Sequence, residues 1–168
     1  MTTMPRPQVL IVMGSDSDLP VMQEAADILD KFEVPWEMRI SSAHRAPVKT
    51  MELAAEAAGR GVRIIIAGAG MAAHLAGVVA AKTILPVIGV PMPGGALNGV
   101  DALYSTVQMP AGIPVATMAI GKAGAKNAGL FAVQVLALTD LHLTEALRDY
   151  REEMEKEVER KDACLQSA

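Results

Sequence analysis

The chain has 168 residues, a net charge of −4, and a composition that is 51% hydrophobic yet only 3% aromatic. That length suits one domain with a real core, built here from Ala, Val, Ile, Leu and eleven Met. The acidic balance excludes a general nucleic-acid binder, which needs a basic face. The lone Cys164 excludes a disulfide framework or a cysteine zinc site, so a reducing, cytoplasmic setting is the default.

Met1-Thr2-Thr3-Met4-Pro5-Arg6-Pro7 has no apolar core and does not read as a signal peptide. Val9 to Met13 is a short apolar run rich in β-branched residues, which predicts a buried strand. Gly14-Ser15-Asp16-Ser17-Asp18 follows, and Leu19-Pro20-Val21 opens a helix with Pro20 in the first turn, where its missing N–H costs nothing. In this strand–turn–helix corner Gly14 permits a tight turn, and the serine hydroxyls and helix N-terminus favour an anion. The plainer reading is that Ser17 or Asp18 only caps the helix.

From Leu19 to Phe32 the apolar residues fall on one side and Glu24, Asp27 and Lys31 on the other, an amphipathic surface helix. Trp36 to Ile40 is the second strand, followed by Ser41-Ser42-Ala43-His44-Arg45-Ala46-Pro47 and a helix from Val48 to Arg60, ended by Gly59 and Gly61. Val62 to Ala67 is a third strand, almost wholly apolar, as one covered on both faces should be. It runs into Gly68-Ala69-Gly70-Met71-Ala72-Ala73-His74 and a small-residue helix to Lys82. Pro86 to Val90 is the fourth strand, a Pro/Gly loop leads to a helix over Val100–Val107, Pro114 to Ile120 is the fifth strand, and Lys122 to Leu138 is a nearly uncharged helix. The stretch Ile84 to Val100 is broken by Pro86, Pro91 and Pro93 and cannot span a membrane.

Five strand–helix alternations with short connections predict a three-layer α/β/α sandwich on a parallel sheet, whose ligands sit beyond the carboxyl ends of the strands. The polar corners after strands one, two and three all fall at that edge. The whole chain, 1–168, reads as one domain with a core over about 8–139, and 140–168 as an extended C-terminal helix. That helix carries Glu152/Lys156 and Glu157/Lys161 pairs and a thin apolar stripe; it is either a solvated terminal helix or a surface for a neighbouring subunit.

Gly68-Ala69-Gly70-Met71-Ala72-Ala73 matches a G-x-G-x-x-A dinucleotide fingerprint, but between Glu56 and Asp101 there is no acidic residue to hold the ribose diol. That absence argues against a nicotinamide site, and the glycines, Gly70 among them, let backbone approach some planar or anionic ligand. His44 is the best acid/base candidate, since imidazole titrates near neutrality; a structural histidine is the alternative. Arg45 beside it suits a phosphate. His74 is either a buried packing histidine or a second polar group in the pocket, His142 a helix-start residue, and Lys122, Lys126 and Asn127 either touch a ligand or cap a helix. No metal-ligand spacing and no Gly-x-Ser-x-Gly are present. These residues suit a sugar-phosphate or ribonucleotide enzyme working by proton transfer, without metal or redox cofactor.

Val12-Met13-Gly14-Ser15-Asp16-Ser17-Asp18, Ser42-Ala43-His44-Arg45-Ala46-Pro47, Ala67-Gly68-Ala69-Gly70 with Ala72-Ala73-His74-Leu75, Leu85 to Pro91, and Gln108 to Val115 resemble the PurE family, over about Val9 to Leu138. The nearest likeness is to its class I, the N5-carboxyaminoimidazole ribonucleotide mutases of purine biosynthesis. The resemblance implies a flavodoxin-like fold, a homo-octamer with C-terminal helices reaching onto neighbours, and no cofactor or metal. It further implies His44 as the proton-transfer group, Ser15, Asp18 and Arg45 as substrate-binding positions, with Asp18 on the ribose and Arg45 on the phosphate, and Ser17 and Ser42 as hydroxyl donors. The sequence departs from the pattern at Met71, where glycine is expected, at Ala76, where proline follows His74-Leu75, and at Ala46, commonly threonine. The sister class, which carboxylates aminoimidazole ribonucleotide with free carbon dioxide, has lysine after the histidine, so Arg45 argues for the mutase class. The alternative from outside the family's chemistry is a non-catalytic nucleotide- or flavin-binding module.

Overall fold

The computed structural model describes residues 6–167. It divides into two compact units, the first ending at Ala132 and the second beginning at Val133.

The first unit is built on five parallel strands, β1 (Val9–Met13), β2 (Trp36–Ile40), β3 (Ile64–Ala69), β4 (Val87–Pro91) and β5 (Ala116–Thr117), in the order β2-β1-β3-β4-β5. Between them run α1 (Leu19–Lys31), α2 (Pro47–Glu56), α3 (Leu75–Ala80) and α4 (Val100–Val107), and α5 (Lys122–Ala137) follows β5. The strand order reverses between β1 and β3, which makes a crevice beyond their carboxyl ends. Met13 lies level with Ile40 on one side and Gly68 on the other. The first three corners therefore leave the sheet in one row.

Side chains alternate across the pleat. Leu10, Val12, Ile65 and Ala67 form one face and join Ala54 of α2 with Leu75, Ala76 and Val79 of α3 in a single buried cluster. The opposite face carries Ile11, Met13, Ile64 and Ile66. Gly68 belongs to that face, since a Cβ there would stand 2.5 Å from Met22 Sδ of α1 and 2.7 Å from Met92 Cε. Gly129 of α5 lies against the Ala25 carbonyl and Ile28 of α1. Helices thus flank the sheet on both sides, as the near-continuous apolar strands demand.

Element boundaries differ from the sequence reading where pairing overrides composition. β3 starts at Ile64 and runs on through Gly68 to Ala69, because Ala67, Gly68 and Ala69 pair with Gly89, Val90 and Pro91. β5 is two residues long, not seven: Pro114 brings no N–H, and β5 pairs only with β4, through Ile88 and Gly89. α2 stops at Glu56 and is continued by a 3-10 turn, Ala58–Arg60, closed by Gly61 at φ 102°. α3 ends at Ala80 rather than Lys82.

In the second unit Asp140 caps α6 (Leu141–Gln166), accepting from the N–H groups of His142 at 3.0 Å and Leu143 at 3.3 Å. Thr144 Oγ1 donates to the Ala137 carbonyl at 2.9 Å, fixing the turn between the helices. The Glu152–Lys156 and Glu157–Lys161 pairs are formed, together with Glu153–Arg160. Leu143 is buried, whereas Leu141, Met154, Val158 and Leu165 are exposed. No helix of the described residues is long and apolar enough to cross a membrane.

Close packing on β4 sets a stability test. A Cβ on Gly89 would lie 2.4 Å from Thr106 Cγ2 of α4 and 2.9 Å from Val115 Cγ1, whereas one on Gly59 meets nothing within 4 Å. Both neighbours are β-branched and stiff. Gly89→Ala is expected to cost about 1–3 kcal/mol by overpacking. Gly59→Ala should be neutral or mildly stabilising. Denaturant unfolding of the two variants reads the difference, and equal behaviour would contradict this account of the sheet.

Candidate active site

The first corner folds around Ser15. Its extended backbone places Oγ to accept from Ser17 N–H at 3.4 Å, so Ser15 caps the 3-10 turn Asp16–Asp18 that leads into α1. Asp18 occupies the N-cap position of α1 but makes no capping bond with its side chain. Its carboxylate turns back instead to accept from Ser17 Oγ at 3.4 Å and from the backbone at Ser15 and Gly14. Burial pushes the Asp18 carboxyl above its ordinary value, against the pull of those hydrogen bonds. The simple capping role therefore falls to Ser15, and Asp18 is left facing the crevice.

The second corner is anchored from below. Ser41 is buried and its hydroxyl pairs with Thr50 Oγ1 of α2 at 2.8 Å, while Thr50 also donates to the Ala46 carbonyl at 3.0 Å. Ser42 Oγ accepts from Arg45 N–H at 3.2 Å and from Arg45 Nε at 3.4 Å. Arg45 Nη2 reaches across to the Gly14 carbonyl at 2.8 Å. That bond ties the second corner to the first and fixes the guanidinium at the crevice. Pro47 begins α2 directly behind it.

The third corner supplies the second histidine. Met71 sits at φ 55°, and the chain turns sharply to His74, which precedes α3 without capping it. His74 Nδ1 stands 2.6 Å from His44 Nε2, with the rings edge to face at 4.8 Å between centroids. At that distance one nitrogen carries a hydrogen and the other accepts it. Residues thirty positions apart thus form one imidazole pair.

All the expected site residues, Ser15, Ser17, Asp18, Ser42, His44, Arg45, Gly70 and His74, line a single cavity of about 450 Å³. Gly70 brings backbone to its wall, and a Cβ there would crowd Met92 Cβ at 3.3 Å. Gly68, by contrast, makes room for Met22 and Met92 within the fold rather than for a ligand. A second cavity of about 350 Å³ adjoins on the other side of Arg45, with Lys49 and Ala46 among its lining. Ala76 lines neither and is buried on α3.

Lys122, Lys126 and Asn127 do not line the cavity; Lys122 pairs with Glu24 at 3.0 Å. His142 lies in the first turn of α6, as expected. The sequence reading missed the wall formed by Met92, Pro93, Gly94 and Gly95 after β4. Its Pro/Gly composition and its place at the same sheet edge were visible, but it holds no titratable side chain to mark it. Among the described residues no three His, Cys, Asp or Glu side chains gather as a metal site.

The fold and the crevice define a doubly wound α/β protein with its polar pocket at the topological switch point. The AIR carboxylase family model matches residues 8–157. The N5-carboxyaminoimidazole ribonucleotide mutase of Pyrococcus horikoshii is 56% identical over 161 residues, spanning 96% of this chain and 90% of that protein. The mutase of the same name from Synechocystis is 57% identical over 164 residues, spanning 98% and 92%. The crystal structure of Treponema denticola PurE superposes with a TM-score of 0.85 at 29% identity, covering 94% of this chain and 98% of that one. The chain belongs to the AIR carboxylase, or PurE, family.

The raised Asp18 carboxyl gives a signed pH prediction. A carboxyl whose folded value lies above its unfolded one charges at a cost, present at neutral pH and gone once the pH falls below the ordinary carboxylate range. Asp18→Asn is expected to melt above the wild type near pH 7, with the gap closing as the pH drops through that range. Melting curves at several pH values decide it, and a gap that does not change with pH would refute the assignment.

Proposed function

We propose that this cavity is the active site of an N5-carboxyaminoimidazole ribonucleotide mutase of de novo purine biosynthesis, moving the carboxylate from N5 of the substrate to C4 of its imidazole ring. The N5–carbon bond breaks, its electron pair returns to N5, and N5 takes a proton from His44. The released carbon dioxide stays beside the ring. C4 then gives its electron pair to the carbon, and the C4 proton passes back to His44. One proton is lent and recovered, so the reaction balances with no other reactant.

The observation that carries this reading is the His44–His74 pair, 2.6 Å apart in the wall of a cavity that also presents Asp18, Ser15 and Arg45. A positioned imidazole suits a proton that must be both given and taken. His74 orients it through the shared hydrogen. Arg45, held by Gly14 and Ser42, is set to meet the phosphate with its remaining N–H groups. Asp18 takes the ribose hydroxyls, Ser15, Ser17 and Ser42 add hydroxyl contacts, and Gly70 lets the ring lie close to backbone. Enclosure keeps gas and ring together, replacing a bimolecular capture by a local one.

His44→Asn keeps a polar, hydrogen-bonding side chain but cannot relay a proton. It is expected to lose about 10²–10⁴-fold in turnover while still binding the ribonucleotide. Assay of the C4-carboxylated product with carbon dioxide scavenged from solution, beside calorimetric binding, tests this. Unchanged turnover in the variant would remove His44 from the role. Conversion of aminoimidazole ribonucleotide plus bicarbonate alone would move the protein to the carboxylase class.

The same reading includes a homo-octamer with α6 against a neighbouring subunit. It is supported by the exposed Leu141, Met154, Val158 and Leu165 along a helix of 26 residues. Analytical ultracentrifugation is expected to give eight subunits, and replacement of Met154 and Val158 by glutamate to weaken the assembly; a monomer of unaltered mass in both would contradict it.

A further inference from the structure

Met71 holds a backbone that side-chain-bearing residues avoid. Its φ of 55° lies in the left-handed region, where Cβ crowds the following carbonyl. Two consecutive hydrogen bonds fasten the turn, Ala73 N–H to the Met71 carbonyl at 2.9 Å and His74 N–H to the Ala72 carbonyl at 2.8 Å. Glycine would make this turn without steric cost. The methionine side chain is therefore carried against backbone strain, of the kind that gathers at functional sites.

That side chain is not core packing. Met71 is 64% exposed, yet it lines the cavity beside His44 and His74. It extends toward the loop after β4, where a Cβ built on Gly95 would lie 3.7 Å from Met71 Cγ. Gly94 and Gly95, with φ of 150° and 63°, form that exposed wall and have no side chains to close it. An unbranched thioether with three rotatable bonds suits an irregular gap.

We infer that Met71 is a retaining residue: its side chain closes the mouth of the cavity against Gly95 and holds carbon dioxide beside the ring between bond breaking and bond making. The inference rests on the mutase reading above. Carbon dioxide is small and uncharged and its oxygens are poor hydrogen-bond acceptors, so Arg45 and the serines grip it weakly. In this chain an apolar group lies across the exit, where it opposes escape of the gas and keeps water out.

Met71→Gly removes the side chain and spares the turn. The test follows N5-carboxyaminoimidazole ribonucleotide conversion in ¹³C-bicarbonate with carbonic anhydrase present. Wild-type product should carry little label. Met71→Gly should raise the labelled fraction several-fold and release decarboxylated ribonucleotide, while melting no lower than the wild type because glycine relieves the turn. Met71→Leu, which restores an apolar group, should return the label toward the wild-type level. Equal, low label in wild type and Met71→Gly overturns the inference and leaves the mutase reading standing, whereas a wild-type product already fully labelled overturns both, because its carboxylate then comes from solution. Absence of conversion by the wild type overturns both.

Discussion

Everything in the candidate site depends on one alignment, the parallel register that sets Met13 level with Ile40 and Gly68. Parallel strands must all end on the same side, and register decides whether they end together. Because they do, Ser15, Ser42 and Gly70 emerge as neighbours although far apart in the chain. A slip of one residue would turn every side chain of the slipped strand to the other face of the pleat and stagger the corners that follow the strands. The alternation of Leu10, Val12, Ile65 and Ala67 against α2 and α3 forbids that slip.

Within that frame the corners are locked to one another by polar contacts at different depths. Ser41 and Thr50 hold the second corner from the buried side, and Arg45 joins it to the Gly14 carbonyl at the surface. The histidine pair joins the second corner to the third. A site held this way is preorganised, and it carries costs as well: a carboxyl at Asp18 whose charged form is disfavoured by burial, and a methionine in a glycine's backbone region. Both costs fall at the cavity, while β1 and β3, with their fully buried Ile and Leu side chains, supply the stability that offsets them.

The departures from the family pattern separate by position. Ala46 belongs to the adjoining cavity and keeps its backbone role through Thr50. Ala76 is buried against β4, its Cβ 3.6 Å from where a Cβ on Gly89 would stand, and does not reach the site. Met71 is the one departure that lines the main cavity. Three substitutions that look alike in a sequence comparison thus have three different physical settings.

Sequence alone determined the class of fold, the order of its elements and the identity of the polar corners. Apolar runs such as Val9–Met13 and the helical spacing of Leu19–Phe32 are local properties, set by the period of the backbone. Local chemistry also marked His44, Arg45 and Asp18, because titratable groups among glycine and serine are conspicuous without coordinates. Tertiary structure decided the rest. It shortened β5 to two residues, since a strand's length depends on its partner. It assigned Gly68 to Met22 and Gly70 to the cavity, and it brought the unmarked Met92–Gly95 wall into the site. It also turned His74 from an ambiguous helix-start residue into the partner of His44. Such outcomes depend on distances between residues remote in the chain, and those are set by sheet register and packing rather than by any local pattern.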